Sequence, residues 1–302
     1  MVIQEYIFNM FISIIIVVKG DRGILNTLNQ LDEIIKPYKM EIIVIDAAPG
    51  KLDEIKALFP KIKWFYYDKK PNKRYTISEQ RNMGISKALG DTIIFLDSNC
   101  VPIKEWLVEI VKPVIDDNEF IVAGNVKAID KKTVNSISDE RFKGKYLDEA
   151  PTLNLLIKRN VFDKIGTFDE DIIYGEDTDL TWRAVDAGYK IRHAKKAIIY
   201  HDWGDFKEQL HRAIRYGEVR TNLYIKRPDK LKDIFKNESI IVLIYPLFIL
   251  LLPIIFFFPY YPLLLLIPII KNWKHSPIFT TVLNLFFGFG IWKGLIARSR
   301  YQ

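Results

Sequence analysis

The sequence predicts an α/β protein, a mostly parallel sheet flanked by helices, followed by C-terminal transmembrane helices. Three observations predict it. Short runs of β-branched residues alternate with stretches of helical apolar spacing between Ile12 and Asp97, the rhythm of a parallel sheet covered by helices. Two of those runs end in aspartate, Asp46 and Asp97, at the carboxyl end, where such sheets bind ligands. From Ser239 the chain turns strongly apolar, so its mean hydropathy near zero blends two unlike parts.

The elements follow in order. Ile12–Val18 is a continuous β-branched run, as expected of a strand buried on both faces; it is too short to span a membrane. Nothing around it reads as a secretory signal, since a basic leader and a small-residue cleavage site are both missing. Ile24, Leu25, Leu28, Leu31, Ile34 and Ile35 recur at helical spacing, closed by Pro37. Glu41–Asp46 and Ile62–Tyr67 read as the second and third strands. Ser78–Leu89 reads as a helix with Gly90 as its C-terminal cap, and Thr92–Leu96 as the fourth strand, ending at Asp97. Further on, Phe120–Ala123 and Leu153–Ile157 look like strands. Asn160 is placed to cap a short helix to Ile165, ended by Gly166. Thr178–Ala187 reads as a helix ending at Gly188, and Ala197–Tyr200 as a strand leading into His201.

Composition narrows the function. One cysteine, Cys100, excludes an internal disulfide and a thiolate metal site, and fits a reducing compartment. The net charge of +7 suits acidic partners such as nucleotide diphosphates or anionic lipids. No basic patch interleaved with aromatics points to nucleic acid. Lys19-Gly20-Asp21-Arg22-Gly23 lacks the G-x-G-x-x-G spacing, which argues against a dinucleotide site.

Three clusters carry chemistry. In Phe95-Leu96-Asp97-Ser98-Asn99 an apolar strand delivers a carboxylate and an amide oxygen two positions apart, oxygen donors that suit Mg2+ or Mn2+; an aspartate there also serves as a plain turn residue. Gly175-Glu176-Asp177-Thr178-Asp179-Leu180 places three carboxylates where a loop becomes a helix. They either stabilise the helix dipole or include a general base, and periodicity does not choose. His201, at a strand end before Asp202, is a metal or phosphate ligand or a structural histidine.

Longer segments add a resemblance. Asn154 to Phe162, Ile165-Gly166-Thr167-Phe168-Asp169-Glu170, Gly175 to Leu180 with Trp182-Arg183, then Gly188-Tyr189 and His201, resemble the family 2 glycosyltransferases in order. Gln80-Arg81-Asn82-Met83-Gly84 resembles that family's A-R-N-x-G element, and Asp97-Ser98-Asn99 stands where its D-x-D motif belongs. The likeness runs from about Ser13 to Tyr216. It implies a GT-A nucleotide-diphospho-sugar transferase fold, a nucleotide-sugar donor, a divalent metal and hexosyltransferase-type chemistry with inversion. On this resemblance the donor is bound by Asp46, Arg81, Asp97 and Ser98, and the metal by Asp97, Asn99 and His201. Asp177, with Glu176, supplies the base that deprotonates the acceptor hydroxyl. Three departures stand out: Asn99 replaces the second aspartate, Lys19-Gly20 replaces the polar sequence usual after the first strand, and Ala213 follows Gln209-Leu210-His211-Arg212 where processive members carry tryptophan. The last argues for single-sugar transfer.

The chain is expected to divide into a catalytic domain, 1–225, a basic linker, 226–238, and a hydrophobic anchor, 239–302. The anchor holds about two spans, near 239–270 and 277–297. Pro246, Pro253, Pro259, Pro262 and Pro268 make kinks or a hairpin of the first. Basic residues before the first span and at the far end put the catalytic domain on the cytoplasmic side of a multi-pass or hairpin anchor. The acceptor is then lipid-linked or a surface glycan. A polyprenyl-phosphate sugar synthase and a catalytically inactive membrane-bound protein of the same fold are the rival readings.

Overall fold

A computed structural model describes residues 2–68, 76–129, 144–233, 247–271 and 277–297. The chain folds as two compact units: one takes the residues up to 129 and 144–202, the other those from Trp203 on.

Among the described residues the first unit is built on a nine-stranded sheet. Its strands are β1 Ile12–Val18, β2 Met40–Asp46, β3 Lys63–Tyr66, β4 Thr92–Asp97, β5 Cys100–Pro102, β6 Ile121–Ala128, β7 Tyr146–Leu147, β8 Asn154–Lys158 and β9 Ile191–His201. Spatially they run β3-β2-β1-β4-β8-β6-β9-β5, with β7 beside β9. The pairs β3-β2, β2-β1 and β1-β4 are parallel, as the β-helix alternation requires. Beyond β4 the sheet is mixed: β8 is antiparallel to β4 and β6, and β5 and β7 are antiparallel to β9. All seven residues of β1 are buried, which is why its pattern is continuous rather than alternating.

Helices α1 Val2–Asn9, α2 Ile24–Ile35, α3 Asp53–Leu58, α4 Ile77–Lys87, α5 Trp106–Asp116, α6 Arg159–Ile165 and α7 Glu176–Asp186 complete the unit. The periodicity found α2 within a residue or so, because its buried stripe, Ile24, Leu28, Leu31 and Ile34, is the one that the sequence shows. Two caps differ from expectation. Gly90 does not cap α4, whose cap position is Ala88. Its lack of a side chain serves close packing instead, since a Cβ there would stand 2.5 Å from the Phe11 carbonyl. Asn160 does not cap α6 either. That helix starts two residues earlier than expected, and Arg159 N–H donates to the Asp91 carbonyl at 2.8 Å, so the first turn finds its acceptor outside the helix.

Across β1, β4 and β8 the core closes on Phe95, whose ring meets Phe162 and Phe168 edge-on at 6.5 and 5.4 Å. The β6-β9 ladder breaks between Gly124 and Asn125, where β9 carries extra residues. Asn154 staples the break: its amide donates to the carbonyls of Asn125 and Ala197 and accepts from Trp106 Nε1. Past the break β9 runs on to His201, opposite Cys100.

The second unit holds α8 Phe206–Lys226, short 3-10 turns, α9 Leu266–Lys271 and α10 Pro277–Ala297. Asp205 and Glu208 close a reciprocal capping box at the start of α8. The first expected span falls partly outside the described residues. In its described part helical residues at 247–250 are followed by 3-10 turns at Leu252–Phe256 and Tyr261–Leu265, then α9, rather than by one continuous helix. Prolines at 253, 259, 262 and 268 remove the donors that a continuous helix needs. Only α10, over Pro277–Ile296, is long and apolar enough to cross a membrane among the described residues.

Candidate active site

The site gathers at the carboxyl ends of the parallel strands. Asp97 ends β4, and Ser98 and Asn99 make the turn into β5. Ser98 Oγ donates to Asp21 Oδ2 at 3.0 Å, and Thr27 Oγ1 donates to the Ser98 carbonyl at 2.9 Å, so the turn is tied to the loop after β1. Asp46, fully buried at the end of β2, accepts from Ala48 N–H at 2.8 Å and from Trp64 Nε1 at 3.3 Å. In this conformation it folds the turn after β2.

Arg81, on the first half of α4 and only 4% exposed, is the hub. One guanidinium nitrogen pairs with Glu176 Oε1, and another lies 3.4 Å from Asp97 Oδ1. The ring of Phe168 lies 5.6 Å away. Burial works against the arginine's charge, but Glu176, Asp97 and Asp177 outweigh it and hold its pKa above the usual range. Sequence reading grouped Arg81 with the donor contacts; the structure places it between the Asp97 strand end and the Glu176-Asp177 helix start.

Glu176 and Asp177 begin α7 after Gly175, whose φ of +81° favours glycine. Burial raises the Glu176 carboxyl to about 7, against the pull of Arg81 and reinforced by Asp177. Burial also raises Asp177, opposed by Arg81 and by the Thr178 N–H that donates to its Oδ1 at 2.7 Å, and reinforced by Glu149 and Asp97. Asp177 is the more exposed of the two. Asp179, the third carboxylate of the run, is structural: it pairs with Arg183 at 2.8 Å one turn on.

Arg81 therefore faces Asp97, Glu176 and Asp177 together, with Glu149 adding to the negative field. One buried positive charge stands against several carboxylates, an imbalance that a divalent cation would relieve. Asp97, Asn99 and His201 are brought to one end of the sheet, since His201 pairs in register with Cys100, the residue after Asn99. They offer a carboxylate, an amide oxygen and an imidazole, a partial donor set that suits Mg2+ or Mn2+ once a diphosphate supplies further oxygens. Among the described residues no three His, Cys, Asp or Glu side chains form a metal-holding group by themselves. Cys100 is a core side chain, its thiol pushed well above the usual range by burial.

Two contributors were missed in the sequence. Glu149 lies in a loop with no periodic signal, and it accepts a bond from Trp182 Nε1 at 3.1 Å. Asn82 was quoted only as part of a motif. Its side chain brackets Phe168, accepting from the backbone N–H at 3.0 Å and donating to the carbonyl at 2.9 Å. It thereby locks the Phe168-Asp169-Glu170 turn to α4.

Comparison with known proteins agrees with this fold. Glycosyltransferase AglE of Haloferax volcanii is 27% identical over 242 residues, covering 74% of this chain and 78% of that protein. The mannosyltransferase PcManGT from Pyrobaculum calidifontis, solved with GDP-Man and Mn2+, superposes with a TM-score of 0.70 at 15% identity, over 95% of this chain and 87% of that one. GalNAc-T7, solved with UDP, GalNAc and Mn2+, superposes with a TM-score of 0.53 at 18% identity, over 74% of this chain and 51% of that one. These likenesses establish the GT-A fold. The Glycosyl transferase family 2 domain matches residues 13–169, more than half of the chain, and the protein belongs to that glycosyltransferase family.

Proposed function

We propose that the enzyme moves a sugar from a nucleotide-sugar donor to a hydroxyl of a lipid-linked or surface-glycan acceptor, with inversion, at the cytoplasmic face of a membrane. The observation that carries the reading is Arg81 bridging Asp97, on the donor side, to Glu176, beside the base candidate. Asp177 takes the proton of the attacking hydroxyl: it is the more exposed carboxylate of the pair and its pKa is raised toward working pH. The acceptor oxygen bonds to the anomeric carbon from the face opposite the leaving group. The bond from that carbon to the diphosphate oxygen breaks, and the electron pair leaves with the nucleoside diphosphate. Glu176, tied to Arg81, fixes the start of α7 and so the place of Asp177.

Asp46, Arg81, Asp97 and Ser98 form the donor side. Asp46 shapes the turn after β2 and reaches a base or ribose by exchanging its longer bond, to Trp64. Asp97, Asn99 and His201 would hold Mg2+ or Mn2+, which when bound neutralises the diphosphate. The neighbour solved with GDP-Man and Mn2+ makes that donor the first to try. In this reading residues 1–225 carry the chemistry, 226–238 link, and the apolar residues from 239 hold the enzyme at its acceptor's surface, raising their effective concentration.

The test is a panel of nucleotide sugars, GDP-mannose and UDP-GalNAc among them, incubated with the full chain with and without Mn2+. Metal-dependent release of nucleoside diphosphate from at least one donor is expected. Binding of a donor without turnover, in the presence of acceptor lipids and glycans, would favour the inactive reading instead.

A further inference from the structure

The C-terminal unit carries two apolar elements, and neither is arranged as a membrane crossing. The first argument concerns α10. It runs alongside α8 in the same direction for much of its length. Phe206 and Phe279 meet at 5.4 Å near the helix starts. In the middle the backbones touch: a Cβ on Gly217 would stand 2.1 Å from the Phe287 carbonyl, and one on Gly290 2.0 Å from that of Ile214. Toward the far end Thr221 Oγ1 donates to the Ile291 carbonyl at 3.1 Å, and Lys293 pairs with Glu218 at 2.8 Å. At whatever depth α10 lies, α8 lies too. Yet the middle of α8 carries His211, Arg212, Arg215 and Glu218, a density of charge that hydrocarbon does not accept. The pair suits the interfacial plane, with the exposed side chains Ile278, Leu295 and Ile296 of α10 toward lipid.

The second argument concerns 247–271. This stretch folds back on itself. Tyr261 Oη donates to the Phe248 carbonyl at 3.0 Å, and the two rings stack at 4.6 Å. Between them Phe256 and Phe257 are 86% and 91% exposed, the apex of a closed apolar loop. Its described helical runs are interrupted: helical residues at 247–250 give way to a 3-10 turn at Leu252–Phe256, and the run at 261–271 is eleven residues, short of the roughly 20 that a crossing needs. No charged residue occurs between Ser239 and Ile270. An apolar surface of this extent marks a lipid or protein contact. The flanks choose between them. Residues 226–236 hold five basic residues against two acidic, and Lys271, Lys274 and His275 follow the loop. Two basic flanks seek one anionic headgroup layer, and a single crossing between them would force one away from it.

We infer that residues 203–233, 247–271 and 277–297 seat the protein in one leaflet of an anionic membrane without crossing it, the Phe256-Phe257 loop as a wedge and the α8-α10 pair flat in the interface. The inference deepens the membrane association proposed above and rests on it. The test uses the full chain expressed in a host whose cytoplasmic membrane is presented either way round. Single cysteines are introduced as Asp229→Cys, Asn272→Cys and Gln302→Cys; the unsubstituted chain, whose Cys100 is buried, provides the blank. A membrane-impermeant maleimide is expected to label all three from one and the same face. Labelling of any position from the opposite face establishes a crossing and overturns the inference. Release of the unsubstituted chain by high salt alone overturns it as well, together with membrane seating. A second variant, Phe256→Asp with Phe257→Asp, is expected to weaken binding to phosphatidylcholine-phosphatidylglycerol vesicles by at least about tenfold; unchanged binding overturns the wedge. None of these readouts involves sugar transfer, so their failure is distinct from failure of the catalytic reading.

Discussion

At the amino ends of β1 and β2, Glu41 is 8% exposed and well partnered: Lys63 lies 2.6 Å from one oxygen, and Ser13 Oγ and Leu89 N–H donate to the other at 2.5 and 2.6 Å. At the carboxyl ends, Glu176 is 6% exposed and meets a single guanidinium that also faces Asp97 and Asp177. Burial pushes both carboxyls up. At Glu41 the bonds from Lys63, Ser13 and Leu89 outweigh it and bring the pKa below the ordinary value; at Glu176 they do not, and it stands near 7. The same sheet thus satisfies its carboxylates at one end and leaves them short of positive charge at the other. A buried charge with a full set of partners holds structure together, whereas one that shares its partner is suited to receive a cation or a proton.

Breaking the carboxyl end should cost function. The largest effect is expected for Asp97→Ala, which removes the carboxylate at the donor side; metal-dependent donor binding should be lost, read by calorimetry with Mn2+ and with chelator. Asn99→Asp, which restores a charged oxygen ligand, should tighten it. If the unsubstituted protein binds donor equally well with chelator, the site uses no metal. Next comes Asp177→Asn, which keeps the shape but removes the proton acceptor. Turnover should fall by at least about a hundredfold while donor affinity changes little. Near-normal turnover would return Asp177 to a helix-start residue.

How legible was this asymmetry? The parallel half of the sheet was plain, because strands buried on both faces read as unbroken β-branched runs, and Asp46 and Asp97 stand where those runs stop. The mixed half was not. Strand β9 was seen only in its last residues, since its alternation is broken by exposed Lys195 and Lys196 at the irregularity that Asn154 staples. The acidic run at 176–179 showed three carboxylates but not their division of labour. Their partners decide it: Arg81, far away in sequence, claims Glu176, and Arg183, one turn on, claims Asp179. The amino-end network was invisible because its members are distant in sequence: strand register brings Ser13 beside Glu41, while Lys63 and Leu89 reach the same carboxylate from the third strand and from the loop after α4.

Breaking the amino end should cost stability and spare function. Glu41→Ala strands the fully buried Ser13 hydroxyl and the Leu89 N–H, and should destabilise the fold by about 1–3 kcal/mol. Denaturant melts and turnover, measured on the same preparation, check it. A fall in turnover larger than the loss of folded protein would erase the distinction between the two ends.

The smallest effect is the sharpest on the comparison, because pH should act on the two ends in opposite senses. Glu41 is held below its ordinary 4.5, so the stability it contributes is present above 4.5 and is lost as the pH falls through its lowered folded value. Glu176 is raised to about 7, so its contribution is present below 4.5 and is lost as the pH rises through about 7, where the folded state must ionise it. A Glu41→Gln variant should therefore lose part of its acid lability, and a Glu176→Gln variant should lose part of the decline between 4.5 and about 7. Turnover of the unsubstituted enzyme should rise with pH, since Asp177, held above its ordinary value by burial, serves as the proposed base only when ionised. Stability and activity then move in opposite directions with pH, as expected if ionising the carboxyl end costs the fold what it gives the reaction. Melting midpoints and turnover collected across pH for the three proteins decide it, and parallel shifts in both variants would show that the two carboxylates are not held differently after all.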